Sequence, residues 1–266
     1  MIIAGYPCIG KTMYAAERDD VLDMQLTLRF VGGDLLHVDP AYAQKNADDI
    51  IENQKKFRHV LIPIEDTVLA ELSRRGVFYV VIVPDPHDKI SKAEYSIRFA
   101  NKSKEFIDAH IGKWEEHLSR IIQTYDHVVV LKNGFFLSLL MFRIDAQLDR
   151  ISVKAAYTGE LLDAKKADGT PYEDGNRHLN RVGQSGIVVF LDGVFPDCPT
   201  IAFFITGTGH LRTSPGEVYR STGPEGGMVT IHTENSLYTW RIDSAIPQEK
   251  YQGLVERFIF RHDGYR

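Results

Sequence analysis

The run Gly5-Tyr6-Pro7-Cys8-Ile9-Gly10-Lys11-Thr12 constrains this chain more than any other stretch. It satisfies GxxxxGK[ST] at every fixed position, and a chance match in a chain of this length is on the order of one in a hundred. The pattern has a mechanism. Its glycines let backbone N–H groups converge on a polyphosphate, and the lysine brings a mobile positive charge. The threonine hydroxyl can ligate Mg²⁺, and the helix that follows adds the positive end of its dipole. Such a loop needs a strand before it and a helix after it. Met1-Ile2-Ile3-Ala4 is a short apolar run fit for the strand, and Met13–Arg18 reads as helix. Gly5, Tyr6, Pro7, Cys8, Ile9, Gly10, Lys11 and Thr12 are therefore expected to hold a nucleoside triphosphate.

Strand-like and helix-like stretches alternate from there to about residue 150. Val21-Leu22-Asp23 is a short strand ending in a carboxylate, and Asp39-Pro40 reads as an N-cap followed by proline at the first helical position, opening a helix towards Phe57. Val60–Ile64 is strand-like, Asp66 can cap a helix stopped by Gly76, and Phe78–Val83 is a continuous β-branched apolar run of the kind found in buried parallel strands. Ser91–Glu94 fits a capping box, and Ser103 can cap one long helix carrying Phe106, Ile107, Ile111, Trp114, Leu118, Ile121 and Ile122 on a common stripe. His127–Leu131 is the last strand candidate, followed by a helix from about Phe135 to Ile151. This alternation predicts a parallel sheet covered by helices, the α/β P-loop NTPase class.

The pattern changes after residue 150. Residues 151–183 read as a linker or mobile loop, since Thr158–Gly183 is polar and turn-rich, with Asp168-Gly169 and Glu173-Asp174-Gly175. Beyond it, Ile187–Leu191, Thr200–Thr206, Glu217–Arg220, Met228–Thr233 and Leu237–Ile242 are short β-rich runs separated by turn residues. They predict a small antiparallel barrel or sandwich over 184–266, with a hairpin turn at Glu234-Asn235-Ser236 and a terminal helix over Gln248–Phe260.

Composition narrows the function classes. Net charge is −5 over 266 residues, which argues against a protein that coats nucleic acid along its whole surface. The two cysteines, Cys8 and Cys198, form neither a disulfide framework nor a zinc pattern, so a reducing, cytoplasmic setting is expected. With the phosphate loop opening at residue 5, no signal peptide is expected. The longest apolar run, Phe135–Phe142, falls far short of the roughly 20 residues a membrane span needs, so no membrane partner is expected.

From Gly5 to about Leu140 the chain resembles the small P-loop proteins common in bacteriophage genomes, relatives of adenylate kinase and other nucleotide kinases. The resemblance rests on the early loop, on Asp23 after a short second strand, and on Val80–Pro84. It rests most on Lys92-Ala93-Glu94-Tyr95-Ser96-Ile97-Arg98-Phe99 followed by Phe106-Ile107 and Trp114. It implies a nucleotide-kinase-like fold, ATP with Mg²⁺, phosphoryl transfer, and a lid segment. The chain departs from the family at Gln25, at Asn101-Lys102 and at Pro63-Ile64-Glu65-Asp66.

Candidate roles follow. Lys11 would neutralise the β/γ-phosphates and Thr12 would hold Mg²⁺. Asp23, at the carboxyl end of a strand, would orient or deprotonate the acceptor hydroxyl. Glu65 and Asp66 follow the third strand and are candidates for the Mg²⁺ shell, with Asp66 also a natural helix cap. Arg98 would stabilise charge on the phosphoryl group in flight, and Lys92 and Lys102 are weaker phosphate candidates. Gly207–Ser214, with Arg212, reads either as an anion-binding loop or as a tight turn between strands. The expected activity is ATP-dependent phosphoryl transfer to a nucleotide or modified nucleoside. Two alternatives stand beside it. One is a kinase acting on hydroxymethylated bases in DNA held by the second domain, and the other is a catalytically weak, nucleotide-binding regulatory or interaction protein.

Overall fold

A computed structural model describes residues 1–26, 40–194, 200–223 and 226–262. Asp39 and Cys198, singled out in the sequence, lie outside the described residues. The chain divides into two compact units, Met1–Arg143 with Phe260–Arg266, and Ile144–Ile259. Among the described residues no helix is long and apolar enough to cross a membrane.

The first unit alternates strand and helix: β1 (Ile2–Gly5), α1 (Lys11–Ala16), β2 (Val21–Asp23), α2 (Pro40–Gln54), β3 (His59–Pro63), α3 (Asp66–Arg74), β4 (Tyr79–Pro84), α4 (Lys89–Arg98), α5 (Lys104–Ile107), α6 (Trp114–Thr124), β5 (Val128–Leu131) and the start of α7 (Leu137–Arg150). The strands form one sheet in the order β2-β3-β1-β4-β5. Every pairing is parallel, with Ile2 opposite Val60 on one side and Tyr79 on the other. Ile2, Ile3, Val60, Leu61, Ile62, Val80, Val81, Ile82 and Val83 are completely buried, as strands covered on both faces must be. The chain steps from β1 out to β2, back to β3, then across β1 to β4. That reversal makes the carboxyl end of β1 the switch point, where open α/β sheets bind their ligands.

Helix starts differ from the sequence expectation in two places. Glu65, not Asp66, caps α3: its backbone is extended and its carboxylate accepts the Val68 N–H. Asp66 becomes the first helical residue, where an acid still suits the dipole. Asp88 caps α4 by accepting the Ile90 N–H, so Ser91 lies buried inside the helix instead of starting it. Ser103 does cap α5, accepting the Phe106 N–H at 3.2 Å. The long helix expected after it is broken by a π-helical turn over Asp108–Gly112, and only α6 keeps the stripe, with Trp114, Leu118 and Ile121 buried.

The second unit is a single antiparallel sheet. Its strands are β6 (Ser152–Lys166), β7 (Ser185–Asp192), β8 (Ile201–Thr206), β9 (Gly209–Arg212), β10 (Gly216–Gly223), β11 (Gly226–Thr233) and β12 (Ser236–Ala245), in the order β10-β11-β12-β6-β7-β8-β9, followed by α8 (Tyr251–His262). The core joins Leu161, Val188, Phe190, Phe204, Ile231 and Trp240.

The expected linker over 151–183 is corrected here. Ser152–Lys166 is the middle strand of this sheet, paired with β12 on one side and β7 on the other. Its residues in the core are small, Ala155 and Ala164 beside Leu161, Ala156 is buried on the opposite face, and register shifts break the alternation, so no period-two signal survives. Gly159 reads as a turn residue but serves close packing: a Cβ there would stand 2.2 Å from the Arg241 carbonyl oxygen. The polar segment that follows is tied down too. Tyr172 stacks on His178 at 4.7 Å and shares a 2.6 Å hydrogen bond with Ser236, and the Gly183 N–H donates to Leu161 O at 2.8 Å.

Candidate functional site

The loop between β1 and α1 is held at both ends. The Tyr6 N–H donates to Ile82 O at 3.0 Å, continuing the ladder with β4. The Tyr6 ring is 1% exposed and meets Tyr95 (5.7 Å) and Trp114 (6.1 Å) edge-on, with Phe99, His110 and His117 around it. Burial raises its phenol pKa far above the ordinary value, and its hydroxyl has no hydrogen-bond partner among the described residues. Desolvation and then the neighbouring His110 lower the pKa of His117. At the loop's far end the Leu137 N–H donates to Ile9 O at 2.9 Å, which fixes the loop to the start of α7.

Between these anchors, Cys8 (φ 58°) and Gly10 (φ 101°) both adopt left-handed backbone. Alternation of hand around Ile9 is the conformation in which successive N–H groups form an anion-binding nest. A Cβ on Gly5 would crowd Ile9 Cγ2 at 3.0 Å and Lys11 Cδ at 3.1 Å, which places the lysine stem across the loop. Lys11 Nζ donates to Gly5 O at 2.9 Å and more weakly to Tyr6 O at 3.5 Å. Burial lowers the Lys11 pKa, with Asp23 and Cys8 opposing the shift.

Thr12, in the first turn of α1, meets the last residue of β2. Its hydroxyl donates to Asp23 Oδ2 at 2.5 Å, while Asp23 Oδ1 is buried without a hydrogen-bond partner among the described residues. A hydroxyl and a carboxylate side by side form an oxygen donor set suited to a hard divalent cation.

Glu65 and Asp66 are engaged elsewhere. Glu65 Oε2 accepts from Val68 N at 2.8 Å and from the Thr67 hydroxyl at 2.7 Å, and Asp66 Oδ1 accepts the Tyr125 hydroxyl at 2.5 Å. Both acids hold the start of α3, and the carboxylate brought to Thr12 is Asp23. Among the described residues no group of three or more His, Cys, Asp or Glu side chains is placed to hold a metal ion by itself. A cation at Thr12 would therefore complete its shell with phosphate oxygens and water, as Mg²⁺ commonly does.

Arg98 ends α4 beside the loop that follows β5. Its NH2 group donates to Gly134 O, and its guanidinium lies over the Phe136 ring at 3.9 Å and the Tyr95 ring at 4.6 Å. Its NH1 is buried without a hydrogen-bond partner among the described residues. Phe136 in turn adjoins the first loop, 3.1 Å from where a Gly10 Cβ would be. The segment 134–137 thus links Arg98 to the loop. Sequence reading missed it, taking Phe135 and Phe136 only as the start of a helix, since a contact across some 125 residues leaves no local signal.

The Gly207–Ser214 cluster is a strand hairpin. Thr206 pairs with Gly209 across the turn, and Arg212 stands on β9 opposite Phe203. The site thus belongs to a parallel α/β unit, followed in the chain by an antiparallel β unit. No protein-family model matches this chain, and no curated protein matches it in sequence.

Proposed function

We propose that the first unit binds ATP with Mg²⁺ and transfers its γ-phosphoryl group to a hydroxyl of a nucleotide or modified nucleoside, as the kinase-like resemblance of residues 1–150 implies. One observation carries the reading: a complete GxxxxGK[ST] loop at the switch point of a parallel sheet, with Lys11 folded across it and Thr12 bonded to Asp23. The loop amides and Lys11 would receive the β- and γ-phosphates once the ammonium leaves the Gly5 and Tyr6 carbonyls. Thr12 and Asp23 would hold Mg²⁺, which supplies charge neutralisation across those phosphates. Asp23 Oδ1, which has no hydrogen-bond partner among the described residues, suits an acceptor hydroxyl: the acceptor oxygen bonds to the γ-phosphorus as its proton passes to the carboxylate. The bond from that phosphorus to the bridging oxygen breaks, and ADP leaves with the electron pair. Arg98 would turn from Gly134 O to the developing charge.

Incubation with γ-labelled ATP and a mixture of nucleotides and DNA tests the proposal. Label should appear on one acceptor class, and Lys11→Ala should lower turnover about a thousandfold without loss of fold by circular dichroism. Undiminished transfer by Lys11→Ala would remove the proposal.

A second reading is nucleotide sensing without transfer. The engagement of Arg98 by Gly134 and Phe136 favours it, and tight ATP binding with no labelled product would select it.

A further inference from the structure

Large exposed apolar side chains concentrate in one part of the first unit. Ile90 (56% exposed) and Ile97 (71%) lie on α4, and Phe135 (47%), Phe136 (40%), Leu139 (46%) and Phe142 (75%) run from the β5–α7 loop into α7. Leu139 and Phe142, three apart within α7, share one helical face, and Phe135 and Phe136 lead into it. The two groups adjoin. Asp88, Ser91 and Arg98 of the α4 segment bond to the backbone of Asn133 and Gly134, and a Cβ on Gly134 would meet Glu94 Cγ at 2.7 Å.

Surfaces like this are uncommon on isolated proteins and mark a binding face. Its chemistry selects the occupant. Three of its six apolar groups are phenylalanine rings, and its rim carries the exposed cations Lys89, Lys132 and Arg143. Of its acids, Asp88 accepts from the Ser91 hydroxyl and the Asn133 N–H, and Glu94 lies against Gly134. Exposed rings bordered by cations, on a chain of net charge −5, complement a polymer with flat bases and a negative backbone. The face also reaches the phosphate loop, through Phe136 beside Gly10 and the Leu137–Ile9 hydrogen bond.

We infer that this face of α4 and α7 binds single-stranded nucleic acid, whose bases stack on Phe135 and Phe142 and whose phosphates meet Lys89, Lys132 and Arg143. The inference rests on the phosphoryl-transfer reading and deepens it: the acceptor would arrive as part of a strand, on the first unit and not on the second.

The test uses the full chain and a fluorescein-labelled 12-nucleotide oligothymidylate, read by anisotropy between 50 and 200 mM salt. Wild-type protein should bind, with a log–log salt slope of about −2 for three phosphate contacts. Phe135→Ala/Phe142→Ala should weaken binding at least tenfold, and Lys132→Glu/Arg143→Glu should do so while flattening the slope. Affinity for a fluorescent ATP analogue is measured on the same proteins and should stay unchanged in Phe142→Ala. No binding at 50 mM salt, or binding indifferent to the phenylalanine pair, overturns the inference. So does a dimer that Phe142→Ala dissolves, which would make the face a contact between copies. Loss of ATP-analogue binding by wild-type protein that still holds the oligonucleotide would instead count against the phosphoryl-transfer reading.

Discussion

β4 of the first unit and β6 of the second both lie inside their sheets, yet their sequences look unlike each other. β4 reads Tyr-Val-Val-Ile-Val-Pro, while β6 reads Ser-Val-Lys-Ala-Ala-Tyr-Thr-Gly-Glu-Leu-Leu-Asp-Ala-Lys-Lys. A parallel strand covered on both faces must be apolar throughout, and so announces itself. An antiparallel strand needs only one apolar face. In β6 that face is built mainly of alanine, and bulges shift its phase. The lesson is that a polar, glycine-bearing stretch can be the centre of a sheet when larger residues on its neighbours, here Trp240 and Phe190, fill the core.

The largest test of that contrast is in the second unit's core. Phe204 is fully buried, with its ring 6.0 Å from that of Trp240. Phe204→Ala should cost about 3–5 kcal/mol, seen as an earlier denaturant midpoint in Trp240 fluorescence. Trp114, in the first unit, serves as the internal comparison, and a shift of its transition by the same amount would deny the second unit a core of its own.

A smaller effect tests β6 directly. Gly159→Ala places a methyl group against the Arg241 carbonyl, so it should destabilise by about 1–3 kcal/mol. A neutral result is what a mobile linker would give, and would break the comparison.

The smallest expected effect concerns the first unit's loop. Burial lowers the Lys11 pKa from its ordinary 10.5, and a bound polyphosphate would raise it again. Nucleotide affinity should then hold below the lowered value and fall severalfold as pH rises through it towards 10.5. Titration across that range checks this, and a flat profile means the ammonium does not meet the phosphates.

Legibility divides the same way within the site. Gly5–Thr12 and Asp23 could be read from the sequence because the loop's geometry prescribes residue types at set spacings, and β2 ends visibly in its carboxylate. The contact between Asp23 and Thr12 could not be read, since it depends on how β2 and α1 lie. Glu65 and Asp66 look equivalent in sequence. Only the backbone shows that one caps α3 and the other takes the Tyr125 hydroxyl. The role of Phe136 was illegible for the same reason, since it is set by β5 lying two strands from β1 in the sheet.

The central claim is that the loop from Gly5 to Thr12, with Lys11 across it and Asp23 on Thr12, is a nucleoside triphosphate site. Isothermal titration calorimetry of ATP with Mg²⁺ into the 266-residue chain tests it most directly. Saturable binding near one to one is predicted, weakened at least tenfold by Lys11→Ala and weakened by Thr12→Val only when Mg²⁺ is present. Absence of heat from the wild-type protein, or equal affinity in Lys11→Ala, would contradict it.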